Sequence, residues 1–425
     1  MKKNITSFID LFAGCGGMSL GASNAGLKAA LAIEVDENAS KTYQRNLKSP
    51  IINADIRNVE NHIFPQVDLV LGGFPCQPFS LAGLQRGFDG KDGDLFYQCL
   101  RVLNAVKPKA FIFENVAGFL RLQNGLWMKQ ALKELNKLGY TVTYKTLNSF
   151  DFGLPQKRER LFIVGNLYGY EFTFPLPTKK GLSVKEAIDD LKDFTDKSIN
   201  HEPMRHTQRI IERFSAVLPG KTAKDAMDKN PNLGNAKITK QCYRRLIAEE
   251  PAPTVVANFV TTTIHYELNR NLTAREAARI QGFPDTFLFE GDKTRMSWQP
   301  GLSQFEQIGN AVPPNLIEVL CEGLEVCFTE KINAKEKFQA ELFSEAELIE
   351  KPNKLKKKPA GKRGRKTALS EWYEKISSGK CNDIFIVPRT NEAENKLFII
   401  AGLRKRGRQV EVVDGEDGFV VKLMD

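Results

Sequence analysis

From Ser7 to about Asn166 the chain alternates short apolar runs with amphipathic stretches. The runs are "SFIDLF", "LKAALAIE", "VDLVLGG", "KAFIFEN", "YTVTYKTL" and "RLFIVGN". Runs of strand length separated by helix-length segments predict an α/β fold, a parallel-rich sheet with helices on both faces. Proline and lysine then gather at "TFPLPTKKG", and from there to about Tyr266 the alternation is lost, which marks a second, smaller domain. Regular structure returns at "LTAREAARIQGF", where Thr273 precedes Glu276 by the spacing of a capping box. It continues through "QIGNAVPPNLIEVLCEGLEVCF", whose proline pair suits a helix start and whose Leu316, Val319, Leu320 and Leu324 recur at helical spacing. Beyond Cys327, "KPNKLKKKPAGKRGRK" holds many cations and no acid and reads as a disordered basic linker. After it, "DIFIVP", the stretch from Asn391 to Arg406, and "QVEVVDGEDGFVVKLM" predict a strand, a helix and a hairpin turning near Asp414-Gly415 or Asp417-Gly418.

Composition narrows the class. The length of 425 residues allows two or three domains, and no apolar run approaches the ~20 residues of a membrane span. The opening "MKKNITSFIDLF" has too short an apolar stretch for a signal peptide, so the expected location is cytoplasmic. Seven cysteines with no CxxC pair, and only four histidines, argue against a zinc site and a disulfide framework. The net charge of +10 favours a polyanionic partner without choosing one.

Chemistry concentrates where strands end. In "IDLFAGCGGMSLG" a strand runs into a glycine-rich turn and then a helix, so backbone amides can approach a ligand closely. The third glycine of a dinucleotide fingerprint is absent, Ser19 standing there, which disfavours NAD. Glu34 ends the next strand, where a carboxylate can accept both hydroxyls of a ribose. Asp55 and Ile56 lie beyond it, suited to an adenine amine and ring face. A nucleoside cofactor follows.

A second pair of residues asks for a reaction. In "GGFPCQPFS", Cys76 lies past the end of an apolar run rather than inside it, and Glu114 ends the apolar "KAFIFEN", on the same sheet edge. A lone cysteine is often an inert small apolar group. A thiolate beside a proton-donating acid instead suits attack on an electron-poor ring whose nitrogen must be protonated as the nucleophile adds. Cytosine is such a ring: addition at C6 makes C5 nucleophilic enough to take a methyl group from a sulfonium donor, and loss of the C5 proton then expels the thiol.

The order of motifs from "FIDLFAGCGGMSLG" through "EVDENA", "NADI", "GGFPCQPFS", "DGDLF", "FENV" and "GLPQKRERLFIVG" to "RNLTAREAARIQGFPDTF" and "QIGNAVPP" resembles the bacterial-type DNA (cytosine-5) methyltransferase family over most of Ile5 to Cys327. The resemblance implies a Rossmann-like α/β fold with a mixed, mostly parallel sheet. It places a catalytic domain at 1–174, closed by 305–330, and a target-recognition domain with a hinge helix at 175–304. A basic linker at 331–380 and a small α+β module at 381–425 depart from the family. It implies S-adenosylmethionine as cofactor, bound by Phe12, Gly14, Gly16, Gly17, Glu34, Val35, Asp55, Ile56, Pro75, Leu95, Asn310 and Val312. Cys76 is similar to the nucleophile and Glu114 to the group that engages N3 and the exocyclic amine. Arg158 and Arg160 match the arginine pair, Arg160 the better placed to orient the base, while Gln77 and Asn115 would support the two catalytic groups.

By the same resemblance "SLAGLQRGFDGKDGD" is similar to the loop that closes over a flipped base, with Ser80 at the DNA. Arg244, Arg245 and Thr254 are expected at the DNA too, as phosphate contacts or at guanine edges. Double-stranded DNA is the implied partner, a cognate restriction endonuclease is left open, and the expected state is a monomer without bound metal. "KRGRK" reads as a minor-groove hook or as a merely electrostatic linker. A tRNA-modifying branch shares these motifs but carries "CFT" in its recognition domain, whereas here "CFT" occurs only at Cys327 to Thr329. A DNA-binding regulator with a dead site would be expected to have lost Cys76, Glu114 or the arginines.

Overall fold

The computed structural model describes residues 5–75, 93–177, 179–234, 242–258, 262–296, 298–326, 384–388, 409–415 and 418–424. The chain divides into two compact units, Met1–Ala346 and Glu347–Asp425. The first is built on a seven-stranded sheet of β1 (Ser7–Leu11), β2 (Lys28–Glu34), β3 (Ile51–Asn53), β4 (Leu69–Gly72), β5 (Ala110–Val116), β6 (Thr141–Asn148) and β7 (Glu159–Asn166). The spatial order is β3-β2-β1-β4-β5-β7-β6. The first five strands are parallel, and β7 runs antiparallel to both β5 and β6. This is the mixed, mostly parallel α/β sheet expected.

Alternation along each strand sends side chains to both faces, and both are covered. On one face Leu11, Ile33, Val70 and Phe113 pack with Cys99 and Leu103 of helix α3 (Gly93–Val106) and Ala131 and Leu135 of α4 (Leu126–Lys137). On the other, Phe8, Leu71 and Ile112 pack with Ala22 of α1 (Gly17–Asn24) and Leu316, Ile317 and Leu320 of the helix Pro314–Val326. These two helices touch at glycine. A Cβ on Gly17 would lie 2.3 Å from Val312 O, and one on Gly21 2.2 Å from Pro314 O. The return of the chain after "QIGNAVPP" is thereby seated against the helix that follows the glycine turn.

The region after Phe174 is built otherwise, from short helices and two-residue strands. Its own small core gathers Phe214, Val217, Ala223, Ala226 and Ile264. The helix Ala274–Gln281 begins as expected: Thr273 N donates to Glu276 Oε2 at 2.8 Å and Glu276 N to Thr273 Oγ1 at 3.1 Å. In the second unit, strands Ile384–Pro388, Gly418–Met424 and Gln409–Gly415 form an antiparallel sheet in that order. Gly415 pairs with Gly418 across the two antiparallel strands, and the residues between them lie outside the described ones.

Candidate active site

In an open parallel sheet the ligand crevice lies outside the carboxyl ends of the strands, where the order reverses. Here β1 has β2 on one side and β4 on the other, and a cavity of about 850 Å³ lies beyond their ends. Eleven of the twelve positions expected at the cofactor line it: Phe12, Gly14, Gly17, Glu34, Val35, Asp55, Ile56, Pro75, Leu95, Asn310 and Val312. Gly16 does not. Its φ of 101° is the left-handed turn that glycine permits, and a Cβ there would lie 2.5 Å from Leu47 Cδ1 and 2.9 Å from Tyr43 Cδ2. Gly16 therefore shapes the turn rather than the wall.

Backbone amides fix the carboxylate of Glu34. Gly14 N donates to Oε2 at 2.7 Å and Asp36 N to Oε1 at 2.8 Å, which ties the two nucleotide-side turns to one acid. Burial pushes Glu34 above the usual carboxylate range, against the pull of those two amides. Each oxygen keeps acceptor capacity for a ribose hydroxyl. Gly73 also lines the cavity, and a Cβ there would lie 3.7 Å from Glu114 Oε2 and 3.8 Å from Met18 Sδ and from Val312 Cγ2, so this glycine sits where the second acid and the cofactor wall converge. The residues present fit S-adenosylmethionine.

Glu114 stands at the end of β5, buried and facing Arg160 across β7, with Nε 3.0 Å from Oε1. Burial raises its pKa, opposed by the two guanidiniums of Arg160 and Arg158. A buried acid held this way stays protonated to higher pH than a surface glutamate, as a proton donor must. Asn115 Nδ2 donates to Phe74 O at 3.2 Å, joining the strand end to the segment that enters the cavity wall at Gly73 to Pro75, immediately before Cys76. Cys76, Gln77 and Ser80 lie outside the described residues.

The arginine pair diverges. Arg160 faces Glu114, but Arg158 is 2% exposed and gives its guanidinium to backbone, to Val255 O at 2.7 Å, Gly309 O at 3.1 Å and Ala311 O at 3.0 Å. It borders the cavity, and these bonds tie Val255 to the Gly309–Ala311 return, while its Nε makes no hydrogen bond among the described residues. Arg245 needs a correction. Expected at the DNA, it is 5% exposed and donates to Phe214 O, Val217 O, His265 O, Leu268 O and Asn269 Oδ1. No donor is left for a phosphate. Arg244 is exposed, bonded to Gly220 O at 2.8 Å, and Thr254 Oγ1 donates to Lys157 O at 2.9 Å. Sequence reasoning missed Arg57, Leu122, Leu302 and Gln307, which also line the cavity. The last lies in the "QIGN" already singled out, and the others carry no pattern of their own.

A glycine turn, a ribose-side acid and a buried second acid at one crevice of this sheet define an S-adenosylmethionine-dependent methyltransferase. Comparison with known proteins fixes the kind. The family model for C-5 cytosine-specific DNA methylase matches residues 6–325. The chain is 37% identical to the Type II methyltransferase M.DdeI of Desulfomicrobium norvegicum over 376 residues, covering 77% of this chain and 90% of that protein. It is 35% identical to M.FnuDI of Fusobacterium nucleatum over 343 residues, covering 78% and 97%. A DNA modification methyltransferase encoded within an E. coli prophage superposes with a TM-score of 0.62 at 25% identity, over 76% of this chain and all of that one. The chain belongs to the C-5 cytosine-specific DNA methylase family. It is a DNA (cytosine-5) methyltransferase, transferring a methyl group from S-adenosylmethionine to cytosine within a specific sequence of double-stranded DNA. Among the described residues no helix is long and apolar enough to cross a membrane.

Proposed function

We propose that methylation proceeds through a covalent adduct between Cys76 and C6 of the cytosine, with Glu114 as the acid and Arg160 orienting both Glu114 and the base. The observation that carries this is the buried Glu114–Arg160 pair at the end of β5, beside the Gly73–Pro75 segment that leads into Cys76. The thiolate adds to C6 as Glu114 protonates N3, which would make C5 nucleophilic enough to accept a sulfonium methyl with S-adenosylhomocysteine as the leaving group; loss of the C5 proton then expels the thiolate, and N3 returns its proton to Glu114. S-adenosylmethionine supplies the electrophilic methyl group. A cytosine inside a duplex cannot reach this crevice, so the base is flipped out at a cost of roughly a few kcal/mol.

Under this reading the region 175–304 reads the target, with Arg244, Thr254 and Ser80 at the DNA. The protein is read as a cytoplasmic monomer acting on duplex DNA; the Type II character of its relatives supports modification of a restriction site, with a partner endonuclease left open. The test is duplex DNA carrying 5-fluorocytosine at the site that bisulfite sequencing identifies. Fluorine cannot leave as a proton does, so the wild type should form a denaturant-resistant adduct that requires S-adenosylmethionine, and Cys76→Ala should form none while still binding its site. An adduct that persists in Cys76→Ala, or maps to Cys15, Cys99 or Cys242, would remove Cys76 from the mechanism.

A further inference from the structure

The helix Gln208–Ser215 carries Arg209 and Arg213 four residues apart, a spacing that sends both side chains out on one face. They converge on Gly234. A Cβ built there would lie 2.7 Å from Arg213 Nη2 and 3.4 Å from Arg209 Nη2, so the two Nη2 atoms are no farther apart than those distances combined. Gly234 has a φ of 125° and ends a turn in which Leu233 N donates to Asn230 O and Gly234 N to Pro231 O, both at 3.1 Å. Arg213 Nε donates to Leu233 O at 3.2 Å, which fixes that fork against the turn. Among the described residues Arg209 makes no hydrogen bond and no carboxylate pairs with either arginine; Glu212 on the same helix accepts from Gln208 Nε2 at 3.3 Å instead. The platform is firm, because Ile210, Leu233 and Tyr243 all pack on the small core around Phe214.

We propose that Arg209 and Arg213 form a clamp for a single backbone phosphate of the target duplex, a site that positions the DNA and reads no base. This rests on the reading of 175–304 as the region that meets DNA. Two cations at this helical spacing repel each other and disfavour the helix that carries them, and an anion between them turns that repulsion into attraction. A phosphodiester has two non-bridging oxygens sharing one charge, and each can accept from a different guanidinium at once. A guanine edge presents O6 and N7 to one guanidinium and has no charge to offset a second. Arg245 spends its donors on backbone carbonyls around the same core, whereas this pair keeps most of its own.

The experiment is fluorescence anisotropy of the full chain over a range of salt, on a duplex carrying the methylated site and on an unrelated duplex. The proteins are wild type, Arg209→Gln, Arg213→Lys, the double variant Arg209→Gln with Arg213→Gln, and Arg244→Met, each checked for folding by urea unfolding. Arg209→Gln should weaken both duplexes by one common factor, about three- to tenfold at low salt. The double variant should lower the slope of log affinity against log salt by about 0.9, the share of one phosphate, where two separate contacts would lower it by about 1.8. Arg213→Lys keeps the charge without the fork, so it should bind more weakly at the wild-type slope. Bisulfite sequencing should find the same methylated sequence in every variant. Wild-type affinity and slope in the double variant, with Arg244→Met weakened, would remove the clamp and leave the region at the DNA. If Arg244→Met is silent as well, the reading of the region fails. A loss confined to the cognate duplex, or a changed methylated sequence, would make the pair a base reader and overturn the phosphate assignment.

Discussion

The sheet and the region from Ser183 to Phe289 both bury backbone, and they satisfy it by different means. In the sheet β1, β4 and β5 are paired on both sides over most of their length, so the ladder needs no side chain there and the interior is left mainly to Leu, Ile, Val and Phe. Among its described residues the second region has strands only two residues long, and buried carbonyls there find arginine instead. Arg245 binds four backbone carbonyls there, Arg275 binds those of Ile199, Pro284 and Phe287, and Arg158 joins the two regions through three more. This region is thus built from a few strong polar ties rather than a repeating ladder. The cofactor half keeps the rigid scaffold.

The sharpest way to break that comparison is to remove a tie. Arg245→Met keeps the length of the side chain but leaves the carbonyls of Phe214, Val217, His265 and Leu268 without their donor, and should cost about 3–5 kcal/mol in urea unfolding. Its neighbour Arg244→Met should cost less than about 0.5 kcal/mol and instead weaken DNA binding at low salt. Wild-type stability in Arg245→Met with lost DNA affinity would return Arg245 to the interface. On the sheet side the vulnerable feature is close packing rather than polarity. Gly21→Ala sets a Cβ 2.2 Å from Pro314 O and 2.8 Å from Ile317 Cβ, so it should cost about 1–3 kcal/mol and loosen the Asn310–Val312 wall, weakening S-adenosylhomocysteine binding. Unchanged stability and affinity would show that the two helices yield easily.

What the chain disclosed in advance follows the same division. Each of the six runs is a strand of the sheet; the inner ones, buried on both faces, leave a continuous apolar signature, whereas the edge strand β6 shows through its β-branched and aromatic residues. The seventh, Ile51–Asn53, is too short to show any period. At the site Glu34 and Glu114 were legible because an acid directly after an apolar run must sit at a strand end. Arg244 and Arg245 were not separable. In a two-residue strand adjacent side chains point opposite ways, so one faces water and the other the interior, and without a periodic flank nothing in the sequence says which.

An effect that appears only with pH lies under the glycine turn, where the apolar half does contain a polar group. Asp10 on β1 is fully buried, its Oδ2 accepts from Ser19 Oγ at 2.6 Å, and Ser19 Oγ lies 2.9 Å from Tyr43 Oη. Its Oδ1 has no partner among the described residues, an arrangement that suits a neutral acid better than a carboxylate. Burial, against the Ser19 hydrogen bonds, raises Asp10 from 3.8 to about 7. The native state therefore holds a proton that the unfolded chain has already lost between those values. Asp10 should leave stability intact below pH about 4 and erode it as pH rises to about 7. Asp10→Asn, which cannot ionise, should lack that erosion. The stability difference between Asp10→Asn and wild type should thus shift in favour of the variant from pH 5 to pH 7, by at most about 1.4 kcal/mol per pH unit. Urea unfolding at the two pH values measures it, and a difference that stays constant would mean that Asp10 is ionised in the folded protein and that the polar cluster beneath the turn is held as a charge.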